Sequence, residues 1–210
     1  MLKLYRYAEA SMPTAHGPLR ALVYRVPPRD GDPEQPLLVP MQDEHVAIVA
    51  GDPAALKGAE GVLCRVHSEC WTGETLGSLK CDCREQLDAA LAAISAAGRG
   101  VVVYLRQEGR GIGLGNKIRA YALQSEGKDT VEANTALGFQ PDLRSYDLAA
   151  AILQDLGVRS VALLTNNPDK MRELEEAGVA VAERVPHWVS DQEFNREYLA
   201  VKRAKLGHHS

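Results

Sequence analysis

Helix-like and strand-like segments alternate along the chain from residue 84 onward, and this alternation constrains the fold more than any other feature. Residues 84–97 carry apolar side chains at helical spacing, and residues 100–105 form a continuous apolar run typical of a buried strand. The same order of helix and strand recurs over residues 145–165 and again over residues 167–185. The pattern predicts an α/β protein with a mixed, substantially parallel sheet and flanking helices.

The N-terminal third is predicted to be mostly β-structure. Strand-like stretches lie at residues 19–26, 45–51 and 61–67, with a turn near residues 13–18 and a proline-rich loop at residues 27–36. Near the other end, Ser190 and Glu193 form a capping-box pattern that predicts a C-terminal helix. We expect a single domain over residues 1–210, with a β-rich part at about 1–60 and an α/β core at about 61–206.

The composition is that of an ordinary soluble globular protein, with 45% hydrophobic and 25% charged residues. A net charge of −4 argues against a general nucleic-acid-binding protein, because such proteins usually present a basic face. The first residues do not resemble a signal peptide, and no apolar run reaches the length of a membrane span. Three of the four cysteines fall within residues 70–83, which favours metal binding in a reducing compartment over a disulfide framework. We expect a cytoplasmic protein with no nucleic-acid or membrane partner.

Cys70, Cys81 and Cys83 are spaced as a metal-binding cluster. Thiolates are natural Zn²⁺ ligands, and three protein ligands leave one tetrahedral position for water, as in a catalytic zinc site. Cys64 offers the alternative of a closed structural site with four cysteines. It lies in a strand-like stretch and has no tight paired spacing to Cys70. The residues alone therefore favour the open site and leave the closed one as an alternative.

Polar residues in three other segments could bind a ligand. Residues 104–121 combine several glycines with four basic residues and one acidic residue, which suits a polyanion, although a flexible turn with solvated charges explains the same composition. Arg65, His67 and Glu69 alternate along a predicted strand and would share one of its faces. Asn167 stands between a predicted strand and a predicted helix, where it is either part of a ligand site or simply an N-cap.

Six long motifs occur in order along the chain: residues 65–70 (RVHSEC), 80–83 (KCDC), 106–114 (RQEGRGIGL), 116–124 (NKIRAYALQ), 129–134 (DTVEAN) and 164–170 (LTNNPDK). Together they closely resemble GTP cyclohydrolase II, and the similarity extends over about residues 9–206. The resemblance implies an α/β fold, a homodimer and the first step of riboflavin biosynthesis. In that reaction the guanine imidazole ring of GTP is hydrolysed, and formate and pyrophosphate are released. The product is 2,5-diamino-6-ribosylamino-4(3H)-pyrimidinone 5′-phosphate. No dihydroxybutanone-phosphate synthase domain precedes the motifs, so we expect the stand-alone form.

The resemblance also assigns the metal ligands. Zn²⁺ would be held by Cys70, Cys81 and Cys83, which leaves Cys64 outside the site and favours the open, catalytic arrangement. Mg²⁺ is expected with the phosphates of GTP, as is usual for nucleoside triphosphates.

The catalytic positions implied by the resemblance are Asp142, Arg144 and Tyr121. Asp142 and Arg144 take the acid–base and nucleophile roles, but a guanidinium stays protonated in proteins, so stabilisation of transition-state charge is an equally good role for Arg144. Guanine presents N–H donors, for which the carboxylate of Glu108, supported by Gln86, is the expected partner. The resemblance implies the following full set of GTP-binding positions: Arg65, Val66, His67, Ser68, Glu69, Gln86, Glu108, Gly109, Arg110, Thr130, Thr165 and Lys170.

Two alternatives to this function remain open from the sequence. One is a paralogue that opens the ring and stops at the formamidopyrimidine nucleotide, or that accepts another purine nucleotide; the retained Tyr121 argues against it. The other is a non-catalytic, nucleotide-binding zinc protein, which would release no formate from GTP.

Overall fold

The computed structural model describes residues 4–26, 44–125, 127, 130–140 and 142–189. Within these ranges the chain forms one seven-stranded sheet with flanking helices. The proline-rich loop and the predicted C-terminal helix lie outside the described residues. The strands are β1 (Tyr5–Thr14), β2 (Gly17–Arg25), β3 (Glu44–Ala50), β4 (Val62–Ser68), β5 (Gly100–Leu105), β6 (Ser160–Leu164) and β7 (Ala180–Val185). The helices are α1 (Trp71–Glu74), α2 (Cys83–Ala97), α3 (Gly113–Ser125), α4 (Thr130–Ala136), α5 (Asp147–Asp155) and α6 (Pro168–Glu176).

The sheet has an antiparallel half and a parallel half, and its strand order is β1-β2-β3-β5-β4-β6-β7. Strands β1, β2, β3 and β5 pair antiparallel in that order. Strands β5, β4, β6 and β7 pair parallel. The predicted fold class, a mixed and substantially parallel α/β sheet with N-terminal strands, is confirmed.

Helices cover both faces of the sheet, which is why the central strands are apolar throughout. Val101 and Val103 of β5 pack in the same cluster as Ile152 of α5, whereas the intervening Val102 packs with Ile94 of α2. Successive side chains of a strand point to opposite faces, so an uninterrupted apolar run requires apolar partners on both sides. None of the described helices combines the length and the apolar character that a bilayer crossing requires.

The helix ends follow local sequence signals, and α6 begins at the edge of the sheet where β6 ends. Helix α2 ends at Gly98, whose φ of 66° is left-handed, a conformation that glycine adopts without strain. Helix α6 begins after Asn167, whose side chain accepts a hydrogen bond from the backbone N–H of Asp169, with Pro168 in the first turn. The carboxyl ends of the parallel strands β4, β5 and β6 meet at this edge, where open α/β sheets bind ligands.

Candidate active site

A cavity of about 240 Å³ lies at the carboxyl ends of β4, β5 and β6. All of the site residues predicted from the sequence line it except two. Val66 is one exception: its side chain is fully buried in the core, and only its carbonyl oxygen faces the site, accepting a 2.8 Å hydrogen bond from Nζ of Lys170. Thr130 is the other: it begins α4, but its side chain lies outside what the structure describes. The motifs therefore converge on one place although they are far apart in the chain.

Three thiols cluster at one side of the cavity. The sulfur atoms of Cys70, Cys81 and Cys83 all lie within 4.8 Å of one another, and the first two are 3.5 Å apart. Two sulfurs bound to one tetrahedral Zn²⁺ at about 2.3 Å each stand a little under 4 Å apart, so this spacing fits a shared zinc ion. Cys64 is not part of the cluster: it is buried in the apolar core, and burial raises its pKa to about 12.

Gly73 of α1 forms the floor of the thiol cluster. A Cβ atom at this position would stand 2.9 Å from the sulfur of Cys81 and 3.3 Å from that of Cys70. The absence of a side chain thus leaves the space in which the sulfurs approach one another. The set of soft donors and this clearance together fit a zinc site with three cysteine ligands.

Lys117 of α3 joins the thiol cluster to the glycine-rich segment. Its ammonium nitrogen lies 3.1 Å from the sulfur of Cys70 and 2.8 Å from Oε1 of Glu108. Hydrogen bonds from the thiols of Cys81 and Cys83, with Lys117 as a further contributor, lower the pKa of Cys70. Burial alone would lower the pKa of Lys117, but the partners Glu108 and Cys70 outweigh it and raise that pKa. The pair is therefore a thiolate and an ammonium.

Glu108 is already well supplied with hydrogen bonds. Its Oε2 accepts from the backbone N–H of Trp71 at 2.6 Å, and its Oε1 accepts from the N–H of Gly109 and from Lys117. Gln86, its expected helper, is also engaged: its Oε1 accepts from Arg65, and its Nε2 donates to Asp82, both at 2.5 Å. Recognition of guanine by Glu108 and Gln86 stays a prediction. It would require the two side chains to share their present hydrogen bonds with guanine or to exchange them for bonds to guanine.

Arg65 crosses the floor of the cavity as a buried cation. It donates to the carbonyl oxygen of Leu164 at 2.8 Å as well as to Gln86. Burial lowers its pKa to about 10, despite the nearby Cys83 and Asp82, so it remains charged at neutral pH. Its Nε is buried and has no hydrogen-bond partner among the described residues.

His67 lines the cavity and is held by a carboxylate. Its Nε2 lies 2.8 Å from Oε1 of Glu74, which also accepts from the N–H of Cys70, while Oε2 of Glu74 accepts from the hydroxyl of Tyr104. An ionised carboxylate only accepts, so Nε2 carries the proton. Burial lowers the pKa of His67, and its buried Nδ1 has no partner in the part of the chain that the structure describes.

Asp142 and Arg144 form an ion pair at another side of the cavity. The Arg144 side chain donates from Nε at 2.9 Å and from Nη2 at 2.5 Å to the two carboxylate oxygens, and its backbone N–H donates as well. Burial alone would raise the pKa of Asp142, but the hydrogen bonds from Arg144 outweigh it and lower that pKa. The carboxylate thus orients a protonated guanidinium at the cavity wall.

The basic residues of the glycine-rich segment divide between different roles. Lys117 faces the thiols, and Arg106 pairs with Glu69 at 3.0 Å instead of lining the cavity. Arg110 lines it, in the left-handed conformation with a φ of 59°, and its buried Nη1 has no partner among the described residues. The interpretation of this stretch as a polyanion site therefore depends mainly on Arg110, because Lys117 and Arg106 contact other groups of the protein.

Several residues that line or support the cavity were not predicted from the sequence. The side-chain amide of Asn166 holds the segment after β7: its Nδ2 donates to the carbonyl oxygen of His187 at 2.9 Å, and its Oδ1 accepts from the backbone N–H of His187 at 3.1 Å. Burial, reinforced by the charge of Arg65, lowers the pKa of His187 to about 4. Further residues that the predicted site did not include are Gly73, Glu74, Asp82 and Lys117. Asn167 is both an N-cap and a cavity residue, so the two interpretations of it are compatible.

The fold and the site define an α/β protein with a cluster of three thiols that could hold a metal ion, in an arginine-containing cavity. A family model described as GTP cyclohydrolase II matches residues 5–186, and the chain belongs to this family. It is 49% identical over 208 residues to GTP cyclohydrolase-2 of Histophilus somni, covering 99% of this chain and 89% of that protein. It is 56% identical over 165 residues to GTP cyclohydrolase-2 of Neisseria meningitidis, covering 79% of this chain and 82% of that protein.

Longer relatives match as well. The chain is 60% identical over 165 residues to riboflavin biosynthesis protein RibBA of Bacillus subtilis, covering 79% of this chain. It spans 41% of the length of that relative and 30% of the length of the RibBA protein of Synechocystis, to which it is 56% identical. The predicted family is thereby confirmed.

Proposed function

We propose that this protein hydrolyses GTP, opens the imidazole ring of guanine and releases formate and pyrophosphate, giving 2,5-diamino-6-ribosylamino-4(3H)-pyrimidinone 5′-phosphate for riboflavin biosynthesis. One observation carries the proposal: a zinc-compatible thiol cluster lines the same cavity as two arginines, each with a buried nitrogen that has no partner among the described residues. A purine nucleotide needs both, since ring hydrolysis requires an activated water and the phosphates require cationic donors. The names of the relatives support the choice of GTP.

The metal would be Zn²⁺ held by Cys70, Cys81 and Cys83. When bound, zinc with three protein ligands supplies a Lewis acid that lowers the pKa of a coordinated water toward neutrality. The protein's own part is to keep the thiols ionised and close together, through Lys117 and the clearance above Gly73. Neutral His67 lines the cavity and has a buried Nδ1 without a partner among the described residues, so it could accept a hydrogen bond or a proton from a reacting group.

The phosphates would be bound by the cations of the cavity. Arg65 and Arg110 each have a buried nitrogen without a partner among the described residues, and Lys170 is buried at the same floor. Such donors favour an acceptor-rich anion, and Mg²⁺ would share the phosphate oxygens. Arg144, oriented by Asp142, would stabilise the charge that develops as pyrophosphate leaves, with water as the attacking group.

Two further predicted residues would complete the site. Glu108 would accept from the guanine N–H groups, and Tyr121, which lines the cavity, would orient the base or its formylated intermediate. The homodimer also stays a proposal, and the mass of the protein in solution tests it.

The test is product analysis with purified, zinc-loaded protein, GTP and Mg²⁺. Mass spectrometry of the nucleotide and separate assays of formate and pyrophosphate should show both small products and the diaminopyrimidine phosphate. A formamidopyrimidine nucleotide without formate would indicate the paralogue that stops early. Binding of GTP with no product would indicate a non-catalytic protein. The proposal would be refuted if the protein neither bound GTP nor turned it over.

A further inference from the structure

Lys117 occupies a position that binding of a nucleotide does not explain. Its ammonium lies between the sulfur of Cys70 and the carboxylate of Glu108, and its side chain is only 11% exposed. A cation meant for phosphate would be expected to leave donors directed at the open cavity, whereas this one is held by two anions of the protein itself.

The position of Lys117 is fixed by packing as well as by charge. It lies in the second turn of α3, and helical side chains lean toward the N-terminus, here toward the preceding glycine-rich segment. Gly109 in that segment has a φ of 64°, and a Cβ there would stand 3.1 Å from Cβ of Lys117. The aliphatic stem therefore packs closely against the loop backbone, which directs the ammonium toward Cys70.

The charge balance explains why a cation is needed at this point. A divalent ion with three thiolates carries a net charge of −1, and the neighbouring Glu108 adds a second negative charge in a largely buried place. Removing negative charge from water is costly unless it is paired and hydrogen-bonded. An N–H donor on a ligand atom also fixes the orientation of that ligand and tunes its donation to the metal.

We propose that Lys117 is a positioning residue of the metal centre, whose ammonium stabilises the Cys70 thiolate in the zinc-binding geometry and thereby sets zinc affinity. The inference rests on the proposed zinc site. It is a statement about metal binding and does not require turnover of GTP.

The experiment measures zinc affinity by competition with a chromophoric chelator at one fixed pH. Lys117→Met removes the charge and keeps the length, and Lys117→Arg restores a cationic donor. Lys80→Met is the matched control, because this lysine also stands over the ring of Tyr121 but is exposed. We expect Lys117→Met to bind zinc about 10- to 100-fold more weakly, the usual effect of losing a partner of a metal ligand. Lys117→Arg should recover much of the loss, and Lys80→Met should match the unchanged protein.

A double variant separates the two anions that Lys117 contacts. If Lys117 only neutralised Glu108, Lys117→Met combined with Glu108→Gln would regain full zinc affinity, and the proposal would be overturned. If it acts on the thiolate, the loss persists in the double variant. Unchanged affinity in Lys117→Met would overturn the proposal as well.

Replacing Zn²⁺ with Co²⁺ gives a second readout, the position of the charge-transfer band, which a general loss of stability would not change. Removal of an N–H donor raises the energy of the sulfur lone pairs, so the sulfur-to-cobalt charge-transfer band of Lys117→Met should shift to longer wavelength. An unshifted band would contradict the inferred contact. If the unchanged protein bound neither zinc nor cobalt, the proposed metal site itself would fail, which is a distinct outcome.

Discussion

Gly73→Ala tests the metal centre with the smallest possible change, one added methyl group and no change in charge. The new Cβ would lie 2.9 Å from the sulfur of Cys81, 3.3 Å from that of Cys70 and 3.5 Å from Cβ of Cys83. Heavy atoms pack at about 3.5–4.0 Å, so the Cys81 sulfur would have to move by roughly 0.6 Å or more. Metal–ligand distances tolerate only about 0.2 Å, so the methyl group and a bound zinc ion compete for the same space.

The size of the effect follows from the cost of overpacking. Inserting a methyl group into a filled site costs about 1–3 kcal/mol, and a tenfold change in affinity corresponds to about 1.4 kcal/mol. Zinc should therefore bind roughly 5- to 150-fold more weakly. In the metal-free protein the thiols can rotate away, and alanine is favoured over glycine in a helix by about 1 kcal/mol, so the stability without metal should not fall.

The assay is chelator competition for zinc affinity, together with thermal unfolding of the metal-free protein. Gly115→Ala is the control, because this glycine lies in α3 and a Cβ there would meet nothing within 4 Å. The reasoning would be refuted if Gly73→Ala bound zinc as tightly as Gly115→Ala. A parallel fall in metal-free stability would also refute it, since the defect would then not be specific to the metal.

Five other substitutions test separate parts of the site and fold. Cys64→Ser should keep zinc content near one ion per chain; loss of metal would revive the closed four-cysteine site. Glu108→Gln should weaken the preference for GTP over ATP, of which the carboxylate is expected to supply on the order of 3 kcal/mol; an unchanged preference means that another residue reads the base. Tyr121→Met should still release pyrophosphate but accumulate a formamidopyrimidine nucleotide. Arg144→Lys should instead suppress the release of pyrophosphate, because the point charge of lysine cannot reproduce the planar contact of a guanidinium with phosphate oxygens. Equal loss of formate and pyrophosphate in both variants would contradict this division. Burial lowers the pKa of His45 from 6.5 to about 4. Between these two pH values the unfolded chain binds more protons than the folded protein, so the free energy of unfolding should fall as the pH drops from 6.5 toward 4. Glutamine does not titrate, but it can still accept the 3.1 Å hydrogen bond that the backbone N–H of Arg106 donates to His45. Urea unfolding of metal-free His45→Gln should therefore show a smaller fall.

The elements that the sequence predicted well are those with a strong local signal. Strand β5 is an uninterrupted apolar run, and α2 has both a helical apolar face and a terminal glycine, so their bounds agree closely with the prediction. Helices α1 and α4 were not predicted: with four and seven residues they are too short for a periodic pattern. The insertion of β5 between β3 and β4 was also not predicted, because strand order depends on contacts between distant segments.

The site shows the same division between local and non-local signals. The cysteines and most of the arginines stand in contiguous motifs, so they could be named from the sequence as candidates for one site, and all of those named line the cavity. His187 could not be found in that way, since its Nε2 contacts the carbonyl oxygen of Gln86, 101 residues earlier in the chain. Lys117 belongs to the stretch of residues 104–121 whose basic charge suited a polyanion, and only its three-dimensional position reveals the contact with Cys70.

The hydrogen bonds inside the cavity also determine which of its side chains can contribute most to ligand affinity. Gln86 and Arg144 are already bonded to protein groups, so a ligand gains from them only the difference between new and lost bonds. Arg65, Arg110 and His67 each bury a nitrogen that has no partner among the described residues, and an unpaired buried polar group costs about 1–3 kcal/mol. A ligand that supplies partners to these atoms removes that cost. Binding energy should therefore be concentrated at these three side chains, while the paired ones mainly orient the reacting groups.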